Sequence, residues 1–312
     1  MKRFFAFGCS YTLYSWPTWA DMLGTEYDEF YNWGYAGLGN RAIAERVAEA
    51  HAKHNFTKDD LVIVQWSTHI RHDWWHRYSK PERSPDGIGW KTSGSVFNEI
   101  NQELYDQKWV STFFYEPAYF MHTLNNIMLV QHMLESIGCT WYMTSMGDVR
   151  NLGADLRDHS LYGEKGSLVN PFDKNVDKVA WKKIPNLEIY DDKIWGKFAD
   201  HWVKPLELFC QQYPDYTYSY YSVNSRTKQA GWEVDLHPSP RQHYLWLKEE
   251  LSEKISIDKD TLTLSEEIAD HVDVHYQQNK GNKAKFSLDF HNPGFFPEKF
   301  KKLQWVAKRN GF

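Results

Sequence analysis

Cysteine is scarce in this sequence of 312 residues. Cys9, Cys139 and Cys210 are its three cysteines, and no two of them have the CxxC spacing of a zinc ribbon or a redox motif. So few thiols form neither a disulfide framework nor a cysteine-rich metal site, which is typical of a reducing compartment. Folding is therefore predicted not to depend on oxidation.

Long apolar runs and basic blocks are also lacking. The apolar stretch Phe4 to Phe7 is far shorter than the roughly 7 to 15 residues of an export signal, and no run approaches the roughly 18 residues that span a bilayer. A formal net charge of −5 without a polybasic block argues against sequence-independent nucleic-acid binding. The sequence thus predicts a soluble, cytoplasmic protein with no signal peptide and neither a nucleic-acid nor a membrane partner.

Aromatic residues, by contrast, are abundant. They make up 17% of the chain and include 15 tryptophans, more than a core alone usually requires. Such a surplus indicates either a binding surface or the interface of a homo-oligomer. Both interpretations are open at the level of sequence.

Apolar runs that end in polar or glycine-rich turns alternate with helical patterns through residues 1–254. Strands are predicted at residues 4–7, 28–33, 61–66 and 139–145, with a short fifth at 216–221. Helices are predicted at about 16–24, 40–54, 118–137, 198–212 with a break at Pro205, and 241–254. This alternation predicts an α/β fold of three α/β/α layers around a parallel sheet.

Two long segments interrupt this pattern, and one follows it. Residues 70–115 are rich in aromatic and charged side chains, and residues 147–197 in Gly, Asp, Lys and Asn; both are interpreted as insertions. Residues 255–312 form a predicted C-terminal extension in which 265–278 has a helical pattern. The sequence contains no internal repeat.

Ser10 stands where the first predicted strand ends, directly after Gly8-Cys9. Open α/β sheets place their chemistry at the carboxyl ends of strands. Serine is unreactive at neutral pH without an adjacent base, and turns are rich in Gly and Ser for conformational reasons alone. Ser10 is therefore a candidate nucleophile only if the rest of the chain supplies its partners.

Four short blocks occur at predicted strand ends: FGCSYT from Phe7, NWGYAGLGN from Asn32, VIVQWSTH from Val62 and DLHPSP from Asp235. In this order they resemble the SGNH/GDSL hydrolase superfamily, and the first two, with WPTWADMLG between them, look like its phage-encoded members. The resemblance covers residues 1–254. It implies a flavodoxin-like SGNH hydrolase domain, no cofactor, and a location in the producing cell or in a virion.

The resemblance implies that Ser10 is the nucleophile, that His237 is its base and that Asp235 orients the imidazole. Most members place the acid three residues before the histidine, whereas Asp235 is two residues before it and Val234 holds the usual position. The shorter spacing is associated with acyltransferase-like relatives. His243, expected within the last helix, is a weaker candidate base.

The family's oxyanion hole implies backbone N–H donors at Ser10 and at Gly37, which lies five residues after Asn32. Gly39 is a rival for the second position, and a glycine suits it because the backbone must approach the substrate closely. Asn40 is predicted to cap the following helix, with substrate binding as the alternative.

The third block departs from the family pattern, because His69 stands where an oxyanion-donating asparagine is usual. Ser67, Thr68 or Arg71 are alternative donors, and losing one donor costs about 100- to 1000-fold in rate. Residues expected to contact the substrate near this block and the nucleophile, besides Asn40, are Trp66, Arg71 and Tyr11.

Other clusters have simpler interpretations. No metal site is predicted: one His-rich cluster lacks an acidic or cysteine partner, and the other is expected to be a solvated helix face. These clusters are His69, His72 and His76, and Asp270, His271, Asp273 and His275. Cys9 is expected to pack under the sheet rather than to act as a rival nucleophile.

The sequence therefore predicts a serine esterase that works through an acyl-enzyme and removes O-acetyl groups from a carbohydrate. Its partner is a small-molecule or glycan ester, and the aromatic segment 66–120 is either a sugar-stacking platform or an oligomer interface. Two alternatives stay open: O-acetyl transfer to a glycan, and a non-catalytic glycan-binding or virion structural protein on a degenerate hydrolase scaffold.

Overall fold

The computed structural model describes residues 2–77, 88–96, 106–147, 149, 190–223, 230–280, 286 and 295–297. The strands are β1 (Arg3–Phe7), β2 (Glu29–Asn32), β3 (Leu61–Trp66), β4 (Arg71–Arg77), β5 (Ile88–Ser95), β6 (Thr140–Ser145), β7 (Ser219–Val223) and β8 (Ala230–Val234). The helices are α1 (Trp19–Gly24), α2 (Asn40–His54), α3 (Gln107–Phe113), α4 (Glu116–Ile137), α5 (Leu206–Cys210), α6 (Pro240–Trp246) and α7 (Lys259–Asn279). A π-helical turn, Leu247–Leu251, extends α6.

The centre of the fold is a parallel four-stranded sheet in the order β2-β1-β3-β6. Its central strands are apolar because both faces are covered, as parallel sheets require. Helices α2 and α4 pack together, while α1 packs with α6 and α7. The predicted three-layer α/β/α fold is confirmed.

Strand register determines which loops meet at the carboxyl edge. Phe7 of β1 lies opposite Val64 of β3, and Val64 lies opposite Met143 of β6. Strands β1, β3 and β6 therefore end side by side, and the segments after Phe7, Trp66 and Ser145 emerge at one edge. This edge brings together the first and third sequence blocks.

Much of the aromatic surplus lies in the core. Phe4 stacks on Phe30 and Phe5 on Tyr31, with ring centroids 5.1 and 4.8 Å apart, across directly paired positions of β1 and β2. Tryptophans that are less than 2% exposed are Trp16, Trp19, Trp33, Trp66, Trp141 and Trp246. The composition thus reflects large rings packed on both faces of the sheet, in addition to any surface role.

The predicted fifth strand at 216–221 does not join the main sheet. Strand β7 pairs antiparallel with β8 in a separate hairpin. Tyr218 and Tyr220 pack with Trp16 and with Tyr276 of α7 in a second hydrophobic cluster, which draws the hairpin away from β6. The segment beside β6 is Trp202 to Val203 instead, where the Val203 N–H donates to the Met143 carbonyl at 2.9 Å.

The predicted helices agree well with the structure, with one exception. Helix α4 ends at Gly138, whose φ of +74° is the left-handed conformation of a glycine C-cap. The predicted helix 198–212 is instead a 3₁₀ turn, Ala199–His201, and the short helix α5, because Pro205 precludes a continuous helix.

The two predicted insertions differ in how much of them is described. Residues 70–115 contain the antiparallel hairpin β4–β5 and helix α3, which share a small core of Ile70, Val96, Val110 and Phe114. Most of the insertion at 147–197 lies outside the described residues. In the described ranges, no helix is long and apolar enough to cross a membrane.

The C-terminal segment packs on the same core as residues 1–254. Ile268 and Ala269 of α7 belong to the main hydrophobic cluster. Arg241 of α6 forms ion pairs with Asp270 and Asp273 of α7. The segment through α7 is therefore part of this body, and residues 298–312 lie outside the described ranges.

Gly8 is the position where the turn after β1 is most constrained. Its φ is +158°, and a Cβ placed there would lie 2.1 Å from the Thr12 Oγ1 and 3.0 Å from the Gln65 carbonyl oxygen. Gly8→Ala is expected to lower the free energy of unfolding by about 1–3 kcal/mol, measured by urea denaturation. Gly231→Ala is the matched control, since no atom lies within 4 Å of its added Cβ. Equal urea midpoints for Gly8→Ala and Gly231→Ala would contradict the steric conflict expected at Gly8.

Candidate active site

Ser10 lies in a tight turn that begins at the end of β1. The N–H groups of Thr12 and Leu13 both donate to the Cys9 carbonyl, at 3.0 and 3.1 Å. The Thr12 hydroxyl donates to Gln65 Oε1 of β3 at 2.8 Å, which ties the turn to the neighbouring strand. The turn thus holds Ser10, which is 5% exposed, at the carboxyl edge of the sheet.

The structure brings Ser10, His237 and Asp235 together. His237 Nε2 is 3.0 Å from the Ser10 Oγ, and His237 Nδ1 is 2.7 Å from Asp235 Oδ1. The Asp235 side chain is 2% exposed, whereas that of His237 is 27% exposed. A buried carboxylate, an imidazole and a hydroxyl in this order can move a proton from serine to histidine.

Asp235 reaches His237 across the short spacing because the backbone turns back on itself. The His237 N–H donates to Asp235 Oδ1 at 3.0 Å, the local hydrogen bond of an Asx turn. One carboxylate oxygen therefore accepts from both the backbone and the imidazole of His237. The two-residue spacing is sufficient for the contact, so it gives no reason by itself to favour acyl transfer.

The segment that carries these two residues is held at both ends. The Asp235 N–H donates to the Tyr218 carbonyl at 2.8 Å. After His237, Ser239 caps α6, and Ser239 and Gln242 form a reciprocal capping box. Pro240 occupies the first turn of the helix, where its missing N–H costs nothing.

Three aromatic residues that follow Ser10 contact the segment 235–238. The Tyr11 hydroxyl donates to the Leu236 carbonyl at 2.8 Å, and Trp16 Nε1 donates to the Pro238 carbonyl at 2.9 Å. The chain that carries the serine thus positions the chain that carries the histidine. Tyr11, predicted to bind substrate, is 5% exposed with its hydroxyl engaged in this contact, so it supports the site instead.

Tyr14 is the third of these residues. Its ring stacks on the His237 imidazole with centroids 3.7 Å apart and planes inclined by 16°. Its hydroxyl donates to Asp235 Oδ2 at 3.3 Å, and burial together with the Asp235 carboxylate raises the Tyr14 pKa well above its usual value. The phenol therefore remains a hydrogen-bond donor throughout the neutral range. Sequence reasoning missed Tyr14; its only signal is its place in the aromatic run after Ser10.

The loop after β2 holds the candidate oxyanion donor Gly37. Its φ of +85° is a left-handed conformation that favours glycine, and its carbonyl accepts from the Gly94 N–H of β5 at 3.2 Å. The next carbonyl, that of Leu38, accepts from Arg71 Nη1 of β4 at 3.0 Å. Gly39, the rival donor, has its N–H bonded to Asp73 at 2.9 Å, which leaves Gly37 as the better candidate.

Asp73 caps helix α2 in place of the predicted Asn40. Its two carboxylate oxygens accept from the N–H groups of Gly39 and Ala42, at 2.9 and 3.2 Å. A side chain from another strand thus supplies what an N-cap residue normally supplies. No pattern in the sequence connects Asp73 to this helix, because Ala42 lies 31 residues before Asp73.

The Asn40 side chain binds the third block. Its Oδ1 accepts from the Ser67 N–H at 2.7 Å, and its Nδ2 donates to the Ser67 carbonyl and to the Thr123 hydroxyl, both at 3.0 Å. Both amide hydrogens are therefore engaged, and the side chain is buried. The cap role predicted for Asn40 is wrong, because Gly39 is the N-cap residue of α2. The substrate role of Asn40 stays a prediction.

The other residues of the third block have different environments. Trp66, predicted to contact substrate, is fully buried, and its Nε1 lies 3.2 Å from the Met143 Sδ. His69 is buried with its ring edge against Phe120, and Arg71 is partly exposed. The Thr68 Oγ1 is buried and has no hydrogen-bond partner in the described part of the chain.

Two rivals of the candidate residues are fully buried. Burial and the charge of His237 lower the pKa of His243 to about 3, so His243 is neutral at physiological pH and has no access to substrate. Cys9 is also inaccessible, with its Sγ 3.2 Å from the Met146 Sδ. Met146 also lies 3.6 Å from the Ser67 hydroxyl, so it packs between the ends of β1 and β3.

The two His-containing clusters have structural partners. His72 Nδ1 is 2.7 Å from the Tyr119 hydroxyl, and Asp270 and Asp273 pair with Arg241. His271 Nε2 is 3.0 Å from the Phe295 carbonyl. Within the ranges that the structure describes, no three His, Cys, Asp or Glu side chains are grouped to hold a metal ion.

Burial raises the pKa of Asp73 to about 6, although its backbone hydrogen bonds and the nearby Arg71 act in the opposite direction. A carboxyl whose pKa is higher in the folded chain adds stability at low pH, and this is lost as the pH rises through about 6. We therefore compare the free energies of unfolding of the wild type and of Asp73→Asn. The difference, wild type minus variant, is expected to be larger at pH 5 than at pH 7, and it changes by at most about 1.4 kcal/mol per pH unit.

Urea denaturation at both pH values measures this difference. Asp59→Asn, which removes an exposed carboxyl just before β3, controls for the loss of one charge. A difference between Asp73→Asn and the wild type that is independent of pH would show that Asp73 does not titrate in this range.

Comparison with known proteins gives no relative for this chain: no protein-family model matches it, and neither curated proteins nor solved structures include a significant match. The functional interpretation therefore depends on the geometry around Ser10.

Proposed function

We propose that this chain is a serine esterase of the SGNH hydrolase type that works through an acyl-enzyme. The observation that carries the proposal is the hydrogen-bonded chain from Ser10 Oγ through His237 to the buried Asp235, with contacts of 3.0 and 2.7 Å. A serine at a strand end has no need of a histidine in this position for packing alone. The partner is an ester, and the aromatic segment and the resemblance favour an O-acetylated carbohydrate.

The first half-reaction begins as Ser10 Oγ attacks the ester carbonyl and His237 Nε2 accepts the hydroxyl proton. The tetrahedral oxyanion is stabilised by backbone N–H groups at Ser10 and Gly37. As the intermediate collapses, the imidazolium gives its proton to the leaving alcohol, and acetyl-Ser10 remains. Asp235 stabilises the imidazolium throughout.

The second half-reaction repeats these steps with water as the nucleophile. His237 takes a proton from water, the hydroxide attacks the acetyl carbonyl, and collapse returns the proton to Ser10 and releases acetate. A sugar hydroxyl in place of water would give the transferase instead. Homo-oligomer formation and incorporation in a virion remain predictions from the sequence.

A fluorophosphonate probe tests for an activated serine. We expect peptide mass spectrometry to locate the adduct on Ser10. The rate of labelling is expected to fall by at least about 1000-fold in His237→Ala, because the serine then lacks its base. His132→Ala, which changes an exposed histidine on α4, is the matched control and is expected to label normally.

Turnover is then measured as acetate release from 4-nitrophenyl acetate and from acetylated xylan. Release that requires both Ser10 and His237 supports the esterase. A folded protein that shows neither an adduct nor release would contradict the proposal and favour the non-catalytic alternative.

Tyr14 offers a second test, because its ring covers the imidazole. Tyr14→Phe keeps the stacked ring and loses the hydrogen bond to Asp235, whereas Tyr14→Leu loses both. Since an aromatic face stabilises a cation by about 0.5–2 kcal/mol, kcat is expected to fall by a few-fold in Tyr14→Phe and by about tenfold or more in Tyr14→Leu. Equal kcat in the two variants would show that the stacking does not contribute to the reaction.

A further inference from the structure

Helix α7 holds the chain on both sides of the segment 235–238, which carries the candidate base and its acid. Before the segment, the Tyr218 ring stacks on Tyr276 of α7 with centroids 4.0 Å apart. After the segment, Arg241 Nε of α6 donates to Asp273 Oδ2 of α7 at 3.1 Å. A helix that none of the four sequence blocks includes is therefore in contact with both flanks of the segment.

The Tyr276 hydroxyl binds the outer edge of β7. It accepts from the Ser219 N–H at 2.9 Å and donates to the Ser219 carbonyl at 2.8 Å. Successive residues of an antiparallel strand direct their N–H and C=O groups to opposite edges. Ser219 therefore presents these groups to α7, whereas Tyr218 presents its carbonyl to the Asp235 N–H, at 2.8 Å. One hydroxyl of α7 thus takes the place of a neighbouring strand.

The side chain of Tyr218 is fixed by α7 as well. Its hydroxyl donates to Asp273 Oδ1 at 2.6 Å, and its ring is 2% exposed. The edge of this ring lies against Trp16, with centroids 5.5 Å apart, and the Trp16 indole N–H donates to the Pro238 carbonyl. Tyr218 is therefore held on several sides, and its carbonyl has a defined position for the Asp235 N–H.

Loss of the Tyr276 hydroxyl would leave two backbone groups of Ser219 without their partner. Tyr276 is 7% exposed, so water has little access to the place of its hydroxyl. Unpaired backbone groups in such a place are unfavourable, and the strand is expected to move to relieve them. Because Tyr218 is the adjacent residue, its carbonyl would move too, and the Asp235 N–H would follow.

We propose that Tyr276 of α7 is a positioning residue for the proposed reaction. Its hydroxyl fixes the peptide between Tyr218 and Ser219, and this peptide in turn fixes Asp235 against His237. The inference rests on the proposed function, because it names a residue that acts on the same acid and base. The segment that follows the predicted hydrolase domain therefore completes the site through the backbone, without contacting the substrate.

Tyr276→Phe tests the hydroxyl, because it retains the ring that stacks on Tyr218. With 4-nitrophenyl acetate, kcat is expected to fall by about tenfold and KM to change by less than about twofold, since the base is misplaced while substrate contacts are kept. Tyr142→Phe, which removes a hydroxyl that donates to the Lys254 carbonyl at 2.9 Å, is the matched control. Circular dichroism confirms folding of each variant. Equal kcat in Tyr276→Phe and the wild type would overturn the proposal.

A double-mutant cycle separates positioning from a general loss of stability. If Tyr276 acts through Asp235, its hydroxyl contributes nothing further once that carboxylate is removed. The rate of fluorophosphonate labelling of Ser10 is expected to differ by about tenfold between the wild type and Tyr276→Phe. In the Asp235→Ala background, Tyr276→Phe is expected to change this rate by less than about twofold. A further tenfold loss in the double variant would overturn the proposal.

Amide hydrogen exchange provides a measurement that does not require activity. We expect the Asp235 N–H to exchange at least about tenfold faster in Tyr276→Phe, relative to the amides of β3, and to be unchanged in Tyr142→Phe. Faster exchange in a protein that neither labels nor releases acetate would support the connection from α7 to Asp235 and contradict the esterase. Unchanged exchange would overturn the positioning role, even in a protein that releases acetate.

Discussion

The hydrogen bonds between the residues after Ser10 and the turn that carries His237 are the contacts on which the site depends. Tyr11 and Trp16 donate to carbonyls on either side of His237, and Tyr14 covers the imidazole itself. These contacts join positions more than 220 residues apart in sequence. The distance from Ser10 to His237 is therefore set by rigid rings packed against a turn, which leaves little freedom for the side chains to separate.

A second constraint is the set of hydrogen bonds by which the hairpin β4–β5 holds the loop after β2. Three consecutive residues of this loop, Gly37, Leu38 and Gly39, are hydrogen-bonded to Gly94, Arg71 and Asp73. Oxyanion donors stabilise charge only when they are held in place before the reaction. The insertion that interrupts the sheet thus supports the loop that the proposed mechanism requires.

The loop of the third block is held by Asn40, a side chain from the preceding helix. Asn40 binds both the N–H and the carbonyl of Ser67. His69, which stands where the predicted resemblance implies an oxyanion-donating asparagine, is buried. In the proposed mechanism, the oxyanion depends chiefly on backbone donors, with Thr68 as a neighbouring hydroxyl.

The sequence by itself determined the parallel sheet and most helix boundaries, and the resemblance of its short blocks implied that Ser10 pairs with His237 and Asp235. Apolar runs ending in short turns are a local signal, and this signal placed the short blocks at strand ends. Tertiary structure decided what local signals do not encode. Residues 219–223 form a separate hairpin because Tyr218 and Tyr220 pack on α7. Asp73, a residue of β4, caps α2. The tertiary structure also buried Trp66 and Tyr11, for which substrate contact was predicted from their places beside the third block and the nucleophile. Which aromatic ring faces the core and which faces a ligand depends on long-range packing, and a pattern of neighbouring residues does not contain that information.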